Sequence, residues 1–219
     1  KKEKNFALSV THELKTPIAS SKLFAETLLQ RKDLSKNQIS TSLEKIVYEQ
    51  NRLNELVEKI LLVSTIDEMK NDMYLKPVSF NSIINQVIGQ DANSHVINNT
   101  VDEDLIFSGD DFYLISLFQN LLDNAQKYSP KGSEIKIYSE NHPNKIILCI
   151  SDQGAGIKDG EKLKIFDRFY RIEDEDTRSS KGTGLGLFLV NQIVKMHGGK
   201  IACKDNIPNG CIFQIQFKK

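Results

Sequence analysis

From Ile39 to Ser64 the chain repeats one interval. Ile39, Leu43, Ile46, Gln50, Leu53, Val57, Ile60 and Ser64 follow each other at alternating steps of four and three. That spacing has the period of a coiled-coil seam, so the stretch predicts a long helix with one apolar stripe and polar breaks at Gln50 and Ser64. Upstream, Leu14, Ile18, Ser21, Ala25 and Leu28 keep the same steps. Residues from about 3 to 67 therefore read as two long helices joined by a polar turn around Arg31-Lys32-Asp33. Ser35 or Asn37 is the candidate cap of the second helix. A hairpin of roughly 65 residues can bury little core alone. It also carries apolar residues off the seam, among them Leu29, Leu56 and Leu61. Two hairpins pairing into a four-helix bundle would bury them. A single hairpin packed on the rest of the chain is the alternative.

The period changes after Asp67-Glu68-Met69-Lys70-Asn71-Asp72, which reads as a linker. Glu134–Glu140, Lys145–Ser151, Lys200–Lys204 and Cys211–Phe217 are strand-like, bounded by Gly, Pro and Asn. Helical patterns lie at about 80–91, 111–128 and 185–197, the last stopped by Gly198-Gly199. The expected organisation is α+β with two domains: a helical hairpin at 1–68, a linker at 69–76 and a helix-and-sheet domain at 77–219.

Charge narrows the function. Lys+Arg and Asp+Glu are both 29, giving a net charge of zero. A general nucleic-acid binder usually carries a basic excess, so none is expected as a partner. Cys149, Cys203 and Cys211 have no metal-ligand spacing and read as buried free thiols in a reducing cytoplasm. No apolar run approaches the roughly 18 residues of a membrane span. The start shows no signal-peptide pattern and is already helical in character, without an initiator Met. It reads as part of a longer protein, any transmembrane part of which would lie upstream.

Chemistry concentrates in a few places. His12 sits in Ser-Val-Thr-His-Glu-Leu-Lys-Thr-Pro-Ile, a charged and hydroxylated patch within an apolar helical pattern. A neutral imidazole is a nucleophile near physiological pH. Glu13 can take its ring proton, and Thr16 lies one turn on, on the same face. Pro17 removes a helix hydrogen bond and predicts a kink nearby. By itself the patch is equally a charged helix surface.

Further on, Asn120, Asn124, Lys127 and Tyr128 share spacings of three and four in Asn-Leu-Leu-Asp-Asn-Ala-Gln-Lys-Tyr-Ser, with Leu117, Leu121 and Leu122 opposite. Two amides, an ammonium and a phenol suit a nucleotide; an Asn oxygen can ligate Mg²⁺ and Lys127 can meet phosphate. A solvated helix face is the bland reading. Next, Asp-Gln-Gly-Ala-Gly-Ile follows a strand, placing the Asp152 carboxylate at a strand end with Gly154 and Gly156 allowing a tight turn. Then Lys-Gly-Thr-Gly-Leu-Gly-Leu opens a helix. Its Gly182, Gly184 and Gly186 do not have the dinucleotide-fold spacing and no strand directly precedes them. Backbone N–H groups there can still hold phosphate. The polar run 173–180 before it is a candidate lid.

Between the Asp152 turn and this run lies Ile165-Phe166-Asp167-Arg168-Phe169-Tyr170-Arg171. In order and type these segments resemble the H, N, G1, F and G2 boxes of sensor histidine kinases of bacterial two-component systems. The resemblance covers nearly the whole chain. It implies a dimeric phosphotransfer hairpin and an α/β-sandwich ATP-binding domain with a mixed sheet, of the superfamily shared with DNA gyrase, MutL-type repair proteins and the ninety-kilodalton chaperones. It makes His12 the phosphoacceptor and Glu13 its general base. Asn124 becomes the Mg²⁺ ligand, with Asn120, Lys127 and Tyr128 around the phosphates. Asp152 reads adenine, supported by Gly154 and Gly156. Gly182, Thr183, Gly184, Leu185 and Gly186 form the phosphate-side turn, and Arg171 is a γ-phosphate contact at the lid edge. Thr16 follows Glu13 at the place where family members often dephosphorylate their regulators. Lys15 and Gln126 depart from the usual residues at positions without a chemical role, and Gly210-Cys211-Ile212-Phe213 matches the closing strand.

The resemblance thus implies ATP and Mg²⁺ as cofactors, a homodimer, a response-regulator receiver domain as partner, and a place in the cytoplasmic portion of a bacterial membrane sensor. Two rivals remain: a degenerate module that holds nucleotide and transfers nothing, and a clamp ATPase of the gyrase or chaperone type. The second would need a catalytic carboxylate where this chain has Asn120.

Overall fold

A computed structural model describes residues 2–31, 33–66, 73–89, 95–172 and 184–219, with residues 2–9 and 12 described by their helical backbone only. Helix α1 spans Lys2–Gln30 and α2 spans Lys36–Thr65. They pack side by side as a hairpin. Helix α1 runs through Pro17, which has no N–H to give the carbonyl of residue 13. Ser35 caps α2. Its hydroxyl accepts from Gln38 N at 3.3 Å, and Gln38 Oε1 accepts from Ser35 N at 2.9 Å, a reciprocal capping box.

The buried line of α2 is Glu49, Leu56 and Val63, a step of seven. It lies one residue to the side of the seam positions Gln50, Val57 and Ser64. Within one chain, Ile39, Leu43 and Val57 on the seam stay exposed, as do Ile18, Leu23 and Leu29 on α1. The hairpin's own contact uses one edge of the apolar stripe and leaves the rest open.

The remainder is a two-layer α/β sandwich. Strand β1 (Lys76–Ser79) pairs antiparallel with β3 (Ile106–Gly109). A mixed five-stranded sheet has the order β2 (Val96–Thr100), β4 (Glu134–His142), β5 (Lys145–Ser151), β7 (Cys211–Lys218), β6 (Lys200–Asp205). Among the described strands only the β2–β4 pairing is parallel. Helices α3 (Phe80–Gly89), α4 (Asp111–Tyr128) and α5 (Gly186–Met196) accompany the sheet. Alternation along β7 turns Phe213, Ile215 and Phe217 inward and leaves Gln214 and Gln216 less covered, as a one-sided strand requires. Phe217 stacks on Phe80 at 5.7 Å, and Phe80 on Phe107 at 5.1 Å. The hairpin is not sealed off from this core, because Val63 and Ile66 at the end of α2 belong to the same buried cluster.

The strands β4, β5, β6 and β7 and the three helices lie where the hydrophobic pattern puts them. β1, β2 and β3 have no counterpart in that reading. Each is short, and Pro77, Asn98 and Asn99 are poor strand formers held there by pairing partners far along the chain.

His197 fastens α5 to the start of α4. Its Nδ1–H donates to Ile193 O at 2.9 Å, and Nε2 accepts from Asp110 N at 3.1 Å. Asp110 caps α4 by accepting from Phe112 N, and it also accepts from Tyr74 N at 2.9 Å. A protonated ring cannot accept from Asp110 N. Burial pushes the His197 pKa below the usual 6.5, against the raising effect of Ile193 O and of Asp110. The folded state therefore favours the neutral ring. Its contribution is complete above the unfolded pKa near 6.5 and is lost as pH falls from there through the lower folded value. Moving from about pH 7.5 to about pH 5.5 should lower the melting temperature. In His197→Gln the drop over that interval should shrink; an unchanged drop would show that other groups carry it.

Candidate nucleotide and phosphoacceptor site

Three segments meet around α4. The helix is amphipathic: Leu114, Leu117, Leu121 and Leu122 are fully buried, while Asn120 and the Tyr128 carbonyl border the glycine turns at Gly186 and Gly154. Asn120 is itself buried, 6% exposed, and its Nδ2 donates to Ser116 O at 2.7 Å. Its Oδ1 lies at Gly186, the first residue of α5, where an added Cβ would stand 3.0 Å from that oxygen. Asn124 is half-buried one turn on. Lys127 and Tyr128 are exposed, with the Lys127 ammonium over the Tyr128 ring at 4.9 Å.

Asp152 stands immediately after β5, 5% exposed. Its Oδ1 accepts from Gly154 N at 2.8 Å and from Cys211 N at 3.1 Å. Its backbone is tied as well: its N–H donates to Cys211 O at 2.9 Å, and its carbonyl accepts from Asn206 Nδ2 at 2.7 Å. With Oδ1 spent on the protein, Oδ2 is the oxygen left for a ligand. Burial pushes the Asp152 carboxyl above its ordinary value, and the two backbone N–H groups pull it back. Gly210 lets the β6–β7 connection come this close. Its φ is +114°, and a Cβ there would lie 2.1 Å from Asp152 O. The Gly154 turn abuts the end of α4 at Tyr128 O, and Gly156 has φ 78°.

The phosphate-side turn is described from Gly184 onward. Gly184 O accepts from Phe169 N at 3.0 Å, which joins the Phe166–Arg171 segment to the entrance of α5. Phe169 holds a positive φ of 65° there. Leu185 precedes the helix and Gly186 opens it, so the N-terminus of α5 lies beside Asn120. Gly182, Thr183 and the candidate lid 173–180 lie outside the described residues.

The hairpin reaches this assembly through charge. Glu13, the residue after His12, is 8% exposed. Its Oε1 faces Arg171 Nη1 at 3.5 Å and its Oε2 faces Arg52 Nη2 at 3.6 Å. Arg52 also faces Glu49 at 3.5 Å. Lower down, Lys59 of α2 pairs with Asp123 of α4 at 3.7 Å. Thr16 is half-buried on α1. Arg171, nominated from the sequence for the nucleotide, thus sits between the two halves. Arg52, Glu49, Asn206 and the Cys211 backbone were not picked out from the sequence. For Arg52 the available signal was an i,i+3 pair with Glu49 on the buried line of Leu56 and Val63.

The three cysteines are buried free thiols. Among the described residues no group of three or more His, Cys, Asp or Glu side chains could hold a metal ion. The donor set around α4 is amide oxygen, which suits an ion that arrives on phosphate oxygens. None of the described helices is long and apolar enough to cross a membrane.

Comparison with known proteins gives the following. Residues 109–219 match the family described as histidine kinase-, DNA gyrase B-, and HSP90-like ATPase. Residues 2–68 match the His Kinase A (phospho-acceptor) domain. Sensor protein SrrB of Staphylococcus aureus (strain N315) is 31% identical over 224 residues, covering 99% of this chain and 38% of SrrB. The chain therefore spans 38% of the length of that curated relative. The mycobacterial sensor histidine kinase MprB superposes with a TM-score of 0.59 at 30% identity, over 66% of this chain and 97% of MprB. Histidine kinase ThkA, solved in complex with response regulator protein TrrA, superposes with a TM-score of 0.68 over 97% of this chain and 60% of that one. Its identity is 24%, so that likeness speaks for the fold alone.

Proposed function

Because the chain belongs to the histidine kinases of two-component systems, with their phosphoacceptor and ATP-binding domains in order, we propose that it transfers the γ-phosphoryl of MgATP to His12 and passes it to an aspartate of a separate response regulator. The observation that carries this reading is the 3.5 Å approach of Arg171 to Glu13, which brings the edge of the ATP-binding half against the residue beside His12.

The roles divide as follows. Asp152 accepts from the exocyclic amine of adenine through Oδ2. Lys127, Tyr128 and the turn from Gly182 to Gly186 surround the phosphates, with Asn120 holding the seat of that turn at Gly186. Magnesium, when bound with ATP, neutralises charge on the transferring phosphate; Asn124 offers it an amide oxygen. Arg171 meets the γ-phosphate. A neutral His12 nitrogen attacks the γ-phosphorus, the bond to the ADP oxygen breaks, and the ring proton passes to Glu13. Positioning and charge supply most of the catalysis. A labelling assay with γ-labelled ATP, mapped under alkaline conditions, tests the reading. Acid-labile, base-stable label on His12 is the expected result.

The exposed seam of Ile39, Leu43 and Val57 supports a homodimer in which two hairpins, 1–68, close a four-helix bundle. Residues 69–76 are the link to the ATP-binding part, 77–219. A receiver domain is the partner, as TrrA is for ThkA. We place the chain in the cytoplasmic part of a longer bacterial membrane sensor; SrrB, named a sensor protein, is matched over 38% of its length. The intact His12, Glu13 and Asn124 speak against a degenerate module.

Thr16 serves the reverse reaction, orienting a water for attack on the regulator's acyl phosphate. In Thr16→Ala, dephosphorylation of a phosphorylated cognate regulator should fall at least about tenfold, while His12 labelling stays within about twofold. Parallel loss of both would mean that Thr16 serves only the helix before Pro17.

A further inference from the structure

We propose that Arg52 is a positioning residue for the base: it holds the Glu13 carboxylate while Arg171 turns from that carboxylate to the γ-phosphate of ATP. The proposal rests on His12 being the phosphoacceptor and Glu13 its base.

Glu13 is almost wholly buried, and each of its oxygens meets a different guanidinium. The two guanidinium groups differ in how they are held. Arg52 stands on α2 with its side chain 21% exposed. It is braced from behind by Glu49, 7% exposed and on the line that α2 presents to α1. Arg171 comes from the segment that leads into 173–183, and its side chain is 38% exposed. One cation is built into the hairpin; the other arrives from the ATP-binding half.

A buried carboxylate that loses its cation bears a large desolvation cost. If Arg171 left Glu13 for a phosphate and nothing else paired the carboxylate, that cost would oppose the move. Arg52 removes the difficulty. It keeps Oε2 paired, and the departure of Arg171 uncovers Oε1, the oxygen that then takes the His12 proton. Arg171 thus couples arrival of the phosphate to exposure of the base, and Arg52 keeps the base aimed throughout. Without Arg52, Arg171 either stays on Glu13 or leaves it unpaired and misdirected. Both faults slow the transfer step and leave the adenine-reading Asp152 untouched, so the loss belongs in kcat and not in KM for ATP.

The test is single-turnover and steady-state autophosphorylation of the whole 219-residue chain. The variants are Arg52→Ala, Arg52→Lys, Glu13→Gln and the Arg52→Ala/Glu13→Gln double, each checked by its melting curve. Arg52→Ala should lower kcat about 30-fold, with KM for ATP within about twofold, since small misplacement of a catalytic group costs factors of this size. Arg52→Lys, which keeps the charge, should recover most of the rate. In the Glu13→Gln background, Arg52→Ala should add less than about twofold, because both changes remove one function. Should Arg52→Ala fail to fold, Arg52→Gln takes its place. An undiminished rate, a loss that appears in KM, or a full additional loss on top of Glu13→Gln overturns the role of Arg52 while leaving the kinase reading intact. A parent chain that takes no label on His12 overturns the kinase reading, and this proposal with it.

Discussion

His12→Ala should abolish phosphoryl incorporation, with labelling reduced by at least about a thousandfold, while the affinity for ATP stays within about twofold. The reason is spatial. His12 lies on α1, and the residues proposed to hold the nucleotide lie on α4, after β5 and at the start of α5. No other nucleophile replaces an imidazole one residue from Glu13. The other described histidines have different surroundings: His95 is buried, His197 has both ring nitrogens engaged, and His142 pairs with Glu140 on β4. Parallel assays of γ-phosphate labelling and of binding of a fluorescent ATP analogue make the comparison. Retained label in His12→Ala would remove His12 as the acceptor. Lost nucleotide binding would mean that the hairpin helps build the ATP site.

Asp152→Asn should weaken ATP binding by about a hundredfold and erase the preference over GTP. The geometry makes this substitution more than a loss of charge. Oδ1 accepts from two backbone N–H groups, so an Asn side chain would keep its oxygen there. Its NH₂ would then replace Oδ2 and face the amine of adenine, donor against donor. Guanine presents a carbonyl at that position, which the amide can meet. Titration of both nucleotides against parent and variant decides it. Equal affinities for ATP and GTP in the parent would show that Asp152 does not read the base.

Much of this architecture is legible in the sequence because it rests on local pattern. The cap of α2, narrowed to Ser35 or Asn37, the bounds of α4 and the strand Lys145–Ser151 each follow from local spacing; that Ser35 closes a box with Gln38 came from the structure. The strand-then-glycine order likewise put Asp152 at a strand end. What escaped depends on distant partners. β1 and β2 exist only by pairing with β3 and β4. The brace on Asp152 comes from Asn206 and Cys211, residues 54 and 59 positions away. Gly210 was recognisable as part of a closing strand, but its closeness to Asp152 O is a fact of three dimensions. Arg52 was hidden for the same reason: a seam analysis looks for apolar residues, and the polar group that matters sits at its border. His12 and Glu13 were visible as a motif, while the convergence of two arginines on Glu13 was not.

The end of α2 contributes Val63 and Ile66 to the cluster that also contains Phe80, Leu114 and Phe217. A helix rooted in a close-packed interior behaves like a key in a lock. Turning it displaces the tumblers, since such interiors shift between discrete packings and do not deform smoothly. A torque on the hairpin would therefore reach the nucleotide-binding half through this shared interior. Shaving Val63 or Ile66 would loosen that transmission without touching a single atom of the chemistry.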